Sequence, residues 1–463
     1  MWYVLLALLT PPVHAKLGPA MVKESALKHH PTVLAALEGM RAGEEAARGA
    51  KGAFDAKVTS DYRRQTKDEH NETMSRTFLQ KPLGFANSKV YAGLEQVSGA
   101  GGGIFSPFHN TSNPSSQYGN YTVLGATASL WKNFTTDPNR AGLKNARLDA
   151  QMAKGEKKLT EWDIGRFGQS AYWEWVTALR VKNIFEELLK NGEVRNEYLS
   201  TRHKKGDSAQ ILVTENEQYV ASRKGALMAA KERLIRAEYA LSLFYRDGNG
   251  EPLVPPANEE FEDYPAQLSV LLEKVDLNSN VDELLKDRPD IKNLSLTVEK
   301  SQVDLELAKQ DLRPQVDVLT EYYQRSEVHP QGLPRDYLMV MAQVSIPIEW
   351  NLGAGNIAAA KARQNVARSR MNLGVQSYKF EVQAMRQALG LQLEQVAQSE
   401  IEFSRAKELV EAETYKFRSG GGNLFLVNLR EQAKAHAEAS FHESRLAFMN
   451  TLLGYQALVR TQE

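Results

Sequence analysis

Two parts of the chain alternate apolar and polar residues with a period of two. In the first, Phe54, Val58 and Tyr62 alternate with polar residues, and the segment 121–131 follows later. In the second, the segments 315–325 and 337–347 carry apolar residues at every other position. A period of two places successive side chains on opposite faces of a strand. The pattern therefore predicts four strands per chain, each with two unlike faces.

Each pair of strands is followed by a long stretch with a helical pattern and without proline. No proline occurs from 139 to 251 or from 348 to 463. Since proline interrupts helices, these stretches predict helical hairpins over 140–247 and 355–460. The outward helix of each hairpin would be on the order of 100 Å long. Glycine-containing turns, around Gly206 and Gly420, mark the points where the chain reverses.

The order of these elements occurs twice. The segment ALKHHPTV around Pro31 resembles LLKDRPDI around Pro289, and each opens a helical stretch before the strands. We therefore divide the chain into a first repeat, a connector and a second repeat, at 16–247, 248–280 and 281–463. The first repeat carries an insertion, 65–120, expected outside the cell, in which 89–97 and 103–108 could form an additional hairpin.

Composition and charge exclude several classes of protein. The chain has 57 basic and 57 acidic residues and no cysteine. Balanced charge argues against a nucleic-acid partner, and the lack of cysteine excludes disulfides and thiol chemistry. Residues 2–9 are apolar and Val13-His14-Ala15 forms a small-x-small pattern suited to cleavage, which predicts a signal peptide over 1–15, with an apolar first helix as the alternative. The sequence contains no apolar segment of 18 residues, so any entry into a membrane is not by helices.

Strands of about ten residues with one apolar face match the length needed to cross a bilayer in a tilted barrel. Four strands are too few to close a barrel, so several chains would have to contribute. Aromatic residues near the strand ends fit a belt at the membrane interface, with packing in a β-sandwich as the alternative. These residues are Tyr62, Tyr121, Trp131, Tyr322, Tyr337 and Trp350.

The duplicated order of elements, the RPDI motif at 288–291 and the blocks LRPQVDVLTEYYQR and VSIPIEWNLGAGNIAAAKA resemble the TolC-like outer-membrane efflux protein family. The turn KFRSGGGNLFLVNLRE at 416–431 is similar to the helix tip of that family. The resemblance covers essentially the whole chain after the signal peptide. It implies an α+β membrane protein, in which a trimeric twelve-stranded β-barrel continues into a long periplasmic α-helical barrel of two helical-hairpin repeats.

The resemblance also implies a function and partners. A homotrimer in the outer membrane, in contact with its lipid, would form a passive export conduit for efflux of small molecules or for type I protein secretion. It would work with a periplasmic adaptor protein and an inner-membrane transporter, without nucleic acid, cofactor or metal. The alternative is a structural coiled-coil assembly, in the periplasm or on the surface, without a conduit. No constellation of residues indicates an enzyme.

Two sets of site residues follow from the resemblance. Contact with the adaptor would fall on the tip turns, where a tight turn alone is the alternative role of the glycines. That set is Gly206, Asp207, Ser208, Gly420, Gly421, Gly422 and Asn423. Closure of the conduit would occur close by, where leucines replace expected aspartates, so an apolar constriction is as compatible as a polar one. The gate candidates are Leu212, Glu215, Leu426, Asn428, Leu429 and Arg430.

Overall fold

The computed structural model describes residues 16–67, 70–99, 119–256, 260–273, 275, 277–325 and 336–459. The predicted signal peptide and the predicted strand 103–108 lie outside these ranges. The chain divides into two compact units. The first unit contains the segment up to Glu38, Glu156–Asp290 and the segment from Val375, and the second contains Gly39–Gly155 and Ile291–Gly374.

The second unit contains one antiparallel sheet of six strands in the order β1-β2-β3-β4-β5-β6. The strands are β1 Lys57–Lys67, β2 His70–Pro82, β3 Lys89–Gly99, β4 Gly119–Ser129, β5 Gln315–Arg325 and β6 Asp336–Ser345. The prediction of four strands per chain is therefore wrong. The predicted segment 89–97 lies in β3, whose partners are β2 and β4. The alternation pattern did not reveal β2.

The proline-free stretches form the long helices that the sequence predicted. The helices are α1 Pro19–His29, α2 Pro31–Lys51, α3 Pro138–Lys204, α4 Gln210–Ser242, α5 Ser269–Glu273, α6 Val281–Asp287, α7 Pro289–Ala308, α8 Asn351–Arg418 and α9 Leu424–Val459. Helices α3 and α8 are 67 and 68 residues long. Among the described residues, no helix combines the length and the apolar character needed to span a membrane.

The helix starts follow local rules. Proline stands at the first position of α2 and α7, where no backbone donor is needed and its φ suits the helix. Before α3, the Asp137 carboxylate accepts hydrogen bonds from the amides of Asn139 and Arg140, at 2.8 and 3.0 Å. These bonds satisfy amides that have no partner within the helix, which fixes the start of α3 just after Asp137.

The core of the first unit lies between the long helices. Tyr172, Val176, Leu241, Phe448 and Tyr455 are fully or almost fully buried there. The connector joins this core through Tyr264, whose ring stacks on Trp173 at a centroid distance of 4.7 Å.

The RPDI motif closes the C-terminal end of α9. Arg288 donates from Nη1 to the carbonyl oxygens of Ala457 and Leu458, at 3.1 and 3.0 Å. The same guanidinium makes two hydrogen bonds to the Asp290 carboxylate and lies over the Tyr378 ring. Because the last carbonyls of a helix have no partner within it, a buried cation at this point stabilises the helix end.

Candidate functional site

The two helix turns have the same backbone geometry. Gly206 and Gly420 both have φ of +81°, in the left-handed region that favours glycine. In each turn the amide after that glycine donates to a carbonyl five residues earlier: Asp207 to Arg202 at 2.9 Å, and Gly421 to Lys416 at 3.1 Å. This is the Schellman pattern, which satisfies carbonyls left open at the end of α3 and of α8. The turn geometry thus explains why glycine occupies both positions.

The other two glycines of the second turn differ from each other. A Cβ at Gly422 would lie 2.5 Å from the backbone nitrogen of Phe417, so that position accepts only glycine without a shift of the backbone. A Cβ at Gly421 would meet nothing within 4 Å, and its φ lies outside the left-handed region. Neither turn geometry nor packing therefore explains glycine at Gly421.

Most of the predicted adaptor-contact residues are exposed. Gly206, Asp207, Gly420, Gly421 and Asn423 are exposed, whereas Ser208 and Gly422 are half-buried. Beneath the turns lies a small apolar cluster of Leu199, Val213 and Leu424, against which Phe417 packs. The Asn423 side chain accepts a hydrogen bond from the amide of Phe425 at 2.9 Å and so caps the start of α9. The structure thus brings the two predicted turns together.

An ion-pair cluster lies next to the turns and joins three helices. The Glu431 carboxylate of α9 accepts hydrogen bonds from Arg195 of α3, at 2.5 and 2.9 Å, and from Arg223 of α4, at 3.0 Å. Both arginines also donate to the Asn428 side-chain oxygen, at 2.6 and 3.2 Å. Asn428 and Glu431 are three residues apart and therefore share one face of α9.

This cluster is buried and connects helices of both hairpins. Side-chain exposure is 3% for Arg223, 11% for Glu431 and 16% for Arg195. Burial by itself would raise the pKa of Glu431, but the hydrogen bond and charge of Arg195, together with the charge of Arg223, hold it below its usual value. Glu431 is therefore ionised at neutral pH, and its charge is compensated by two cations.

The structure separates the gate candidates into two groups. Asn428 is fully buried and belongs to the ion-pair cluster. Leu426 and Leu429 are exposed, at 37% and 44%, and lie three residues apart on one face of α9. Leu212, Glu215 and Arg430 are half-buried. The polar residues Arg195 and Arg223 were absent from the residues predicted at the gate.

The two faces of the sheet differ in chemistry. One face, here the tyrosine face, carries Arg76, Tyr91, Glu95, Glu321 and Tyr323, which line a concavity of about 650 Å³. Arg76 pairs with Glu95 at 3.0 Å, and Glu321 accepts hydrogen bonds from Tyr91 and Tyr323. The side chains of this face are thus joined across four neighbouring strands, β2 to β5.

The opposite face, here the exposed apolar face, carries large apolar side chains on all six strands. Between 39% and 70% of each is exposed. These side chains are Val58, Tyr62, Leu79, Val90, Leu94, Leu124, Tyr322, Leu338, Val340 and Val344. Arg64, Lys81 and Asp336, which share this face by alternation, lie at or near strand ends. The central part of the face therefore has no charged position in the described strands.

The six predicted belt residues do not form one group. Tyr62 and Tyr322 lie on the exposed apolar face. Tyr121 and Tyr337 instead lie on the tyrosine face, where Tyr337 stacks on Tyr323 at 4.6 Å and Tyr121 is only 5% exposed. Trp131 and Trp350 are exposed but lie outside the strands. The prediction that all six residues form one interfacial belt is therefore wrong, because the strand alternation places Tyr121 and Tyr337 on the tyrosine face.

Solved structures with the same fold come from outer-membrane channels. The outer membrane channel CmeC of Campylobacter jejuni aligns over 95% of this chain and 85% of its own, with a TM-score of 0.68 and 13% identity. The outer membrane protein VceC of Vibrio cholerae aligns over 96% and 97%, with a TM-score of 0.68 and 15% identity. The open state of the MtrE channel of Neisseria gonorrhoeae gives a TM-score of 0.63 at 14% identity, over 95% and 88% of the two chains.

No protein-family model and no curated protein matches the sequence. The likeness to the solved structures extends over nearly the whole chain but at low identity, so it concerns the fold. This chain has the fold of the TolC-like outer-membrane efflux channels, as its sequence motifs implied.

Proposed function

We propose that this chain is the subunit of a homotrimeric export channel in the outer membrane of a Gram-negative bacterium. The strands would form a barrel in the lipid, and the helices would continue as a tunnel in the periplasm. The channel would act passively, with a periplasmic adaptor and an inner-membrane transporter, and would carry small molecules in efflux or polypeptides in type I secretion. The fold shared with known outer-membrane channels supports this assignment.

The observation that carries the proposal is the exposed apolar face of the sheet. Large apolar side chains are exposed on six consecutive strands, while Arg76, Glu95 and Glu321 lie on the opposite face. Strands of 10 to 13 residues with apolar residues on one face and polar residues on the other are typical of barrels that cross the outer membrane. A coiled-coil assembly without a conduit would not need this arrangement.

Fractionation and conductance test this proposal. We expect the protein in the outer-membrane fraction, as an oligomer whose gel mobility changes on heating. In planar bilayers the purified oligomer should produce discrete conductance steps. A protein that remains in the soluble fraction, or a folded membrane oligomer that never conducts, would contradict the channel.

We also propose that the two turns form the contact surface for the adaptor. Gly421 supports this role, because it is exposed and neither its φ nor its surroundings require glycine. A large residue at that position would block a partner without straining the chain. Gly421→Glu should therefore reduce transport several-fold while the amount of assembled channel stays unchanged.

The matched control is Gly390→Glu. Gly390 lies in α8, is exposed, and likewise has nothing within 4 Å of the position of a Cβ. Transport by this variant should remain normal. Equal transport by Gly421→Glu and the unmodified protein would remove the support for the adaptor contact.

The gate is proposed at the same end of the hairpins, with Leu212, Glu215, Leu426, Asn428, Leu429 and Arg430 as its candidates. Leu426 and Leu429 form an exposed apolar pair beside the buried ion-pair cluster, which suits a constriction that closes by excluding water. The double variant Leu426→Asn with Leu429→Asn should then raise the basal conductance. Leu373→Asn, at an exposed leucine on α8, is the control. No increase would favour a polar gate.

A further inference from the structure

We infer that all six strands of the sheet enter the membrane barrel, so that three copies close a barrel of eighteen strands. Strand β1 of one copy would pair with strand β6 of the next. The inference rests on the proposed trimeric channel and specifies how copies of this chain meet. It follows from the position, the surface and the packing of β2 and β3.

Strands β2 and β3 lie in the middle of the sheet. The ladder between β1 and β2 runs from Lys57 opposite Gln80 to Lys67 opposite His70. The β2–β3 and β3–β4 ladders are similarly long, and β4 continues the pairing to β5. In this sheet β1 and β4 do not pair with each other, so without β2 and β3 their facing backbone groups would have to form a new ladder or stay unpaired, which is costly in lipid.

The surface of β2 and β3 continues the exposed apolar face. Leu79, Val90 and Leu94 are 55%, 39% and 63% exposed on it. Four hydroxyl groups of this face bond in pairs across strands, Ser60 with Thr77 at 3.0 Å and Thr73 with Ser98 at 2.6 Å. A hydroxyl that has a partner can face lipid at far lower cost than an unpaired one. A hairpin surrounded by water would need neither the apolar surface nor the paired hydroxyl groups.

On the tyrosine face, the side chains of β3 pack against the neighbouring strands. The Tyr91 ring lies over Gly125 of β4, where a Cβ would be only 2.3 Å from the ring. Beyond Gly125, the Tyr91 hydroxyl donates a hydrogen bond to Glu321 of β5. Gly93 of β3 lies equally close to β2, because a Cβ there would meet the carbonyl oxygen of Thr77 and, at 2.7 Å, the ring of Phe78. These contacts span four strands and make β2 and β3 part of one packed layer.

The two edges of the sheet define the partner. Within the described residues, β1 pairs only with β2, and β6 pairs only with β5. The two edge strands have 11 and 10 residues and run in opposite directions, because five antiparallel pairings separate them. A second copy can therefore place its β1 antiparallel to β6, and this arrangement repeats until the barrel closes. Open edges would be unsatisfied in lipid.

The strand number changes the width of the conduit in the membrane. Barrel diameter grows roughly linearly with strand number, so eighteen strands give about 1.5 times the diameter of twelve. Strands β1, β4, β5 and β6 each adjoin a helical segment, whereas β2 and β3 are joined to each other by the short turn 83–88. The additional strands therefore widen the barrel without adding long helices to the tunnel.

Site-directed spin labelling tests the placement of β2 and β3. The native chain has no cysteine, so a single cysteine carries a single nitroxide. The variants Leu94→Cys on β3 and Thr77→Cys on β2 would be labelled in the full-length channel in liposomes. Leu124→Cys, on the same face of β4, reports lipid exposure, and Thr127→Cys, on the opposite face of β4, reports the lumen. Accessibility to oxygen and to a water-soluble nickel chelate distinguishes the two environments.

The accessibilities of the labels at positions 94 and 77 to oxygen and to the nickel chelate should match those of the label at position 124, which faces lipid. Water exposure at Leu94 and Thr77 with lipid exposure at Leu124 would overturn the inference while the channel proposal stands. Water exposure at Leu124 as well would overturn both. If Leu94→Cys does not assemble, Ala92→Cys on the same face of β3 provides the same report.

Pulsed EPR measures the distance between labels on different copies and so reports the width of the barrel. Equivalent backbone positions in three copies should be about 30 Å apart in an eighteen-stranded barrel and about 20 Å apart in a twelve-stranded one. The Leu124→Cys label should give the longer separation. A separation that matches twelve strands would contradict the inference, whatever the accessibility data show.

Discussion

At the scale of single residues, Glu431 has the clearest energetic role. Its carboxylate forms ion pairs with two arginines, which come from α3 and α4, and none of the three side chains is more than 16% exposed. Removing one member of a buried ion pair leaves an uncompensated charge, which costs about 3–5 kcal/mol. The variant Glu431→Gln should therefore lower the unfolding temperature clearly.

Thermal unfolding of the purified protein checks this expectation. Glu408→Gln is the matched control, because Glu408 pairs with Arg405 on the exposed surface of α8. Exposed pairs of this kind contribute about 0.3–0.5 kcal/mol, so this control should hardly change stability. Equal effects of the two variants would contradict the role assigned to Glu431.

His442 contributes to the pH dependence of stability. Burial, assisted by the charges of Arg445 and Arg180, lowers the pKa of His442 from 6.5 to about 4, although Asp263 acts in the opposite direction. The unfolded chain then binds a proton at higher pH than the folded chain does. The stabilising contribution is complete above about pH 6.5 and is lost as the pH falls toward 4.

We expect His442→Gln to remove part of the loss of stability between pH 6.5 and pH 4, on the order of 2 kcal/mol. Denaturation at a series of pH values measures this loss of stability. The control variant is His436→Gln, which replaces an exposed histidine on the same helix. An identical profile for His442→Gln and the unmodified protein would exclude His442 as the source.

At the scale of elements, the helix turns show which glycines the backbone requires. Gly420 has a left-handed φ and Gly421 does not. A side chain in the left-handed region costs about 1–2 kcal/mol. Gly420→Ala should therefore destabilise the protein by about that amount, while Gly421→Ala should change stability by less than about 0.5 kcal/mol. Calorimetry on the two variants makes the comparison, and a larger loss for Gly421→Ala would contradict the turn geometry.

The elements also show where sequence patterns are sufficient. The absence of proline identified α3 and α8, because a helix interior tolerates almost no proline. Strand β2 was missed, because Thr73, Ser75 and Thr77 occupy its exposed face in place of aliphatic residues. The hydroxyl of Thr77 finds its partner on β1, and that of Thr73 on β3, only after the strands have paired. Alternation in hydrophobicity does not reveal such a strand.

At the scale of the whole molecule, the exposed apolar face should govern insertion into the membrane. An arginine on the lipid-facing side of a barrel costs about 2–4 kcal/mol near the bilayer midplane. Val340→Arg, on the exposed apolar face of β6, should therefore reduce the amount of assembled oligomer in the outer membrane. Heat-modifiable gel mobility quantifies the assembled form.

Gln343→Arg is the control on the same strand. Gln343 lies on the tyrosine face and lines the concavity there. An arginine at this position should be compatible with assembly, since the proposed lumen contains water. Equal assembly of the two variants would argue against lipid contact on the face of Val340.

The sequence by itself determined the long helices, the turns at Gly206 and Gly420 and the strands with two unlike faces. Each of these depends on rules that act within a few residues: the missing donor of proline, the positive φ of glycine and the period of two in a strand. Only the tertiary structure decided that six strands form the sheet and that Tyr121 lies on its tyrosine face. It alone brought Glu431 to Arg195 and Arg223, which are more than 200 residues away along the chain. Such contacts depend on the arrangement of whole helices and strands, and no local pattern encodes that arrangement.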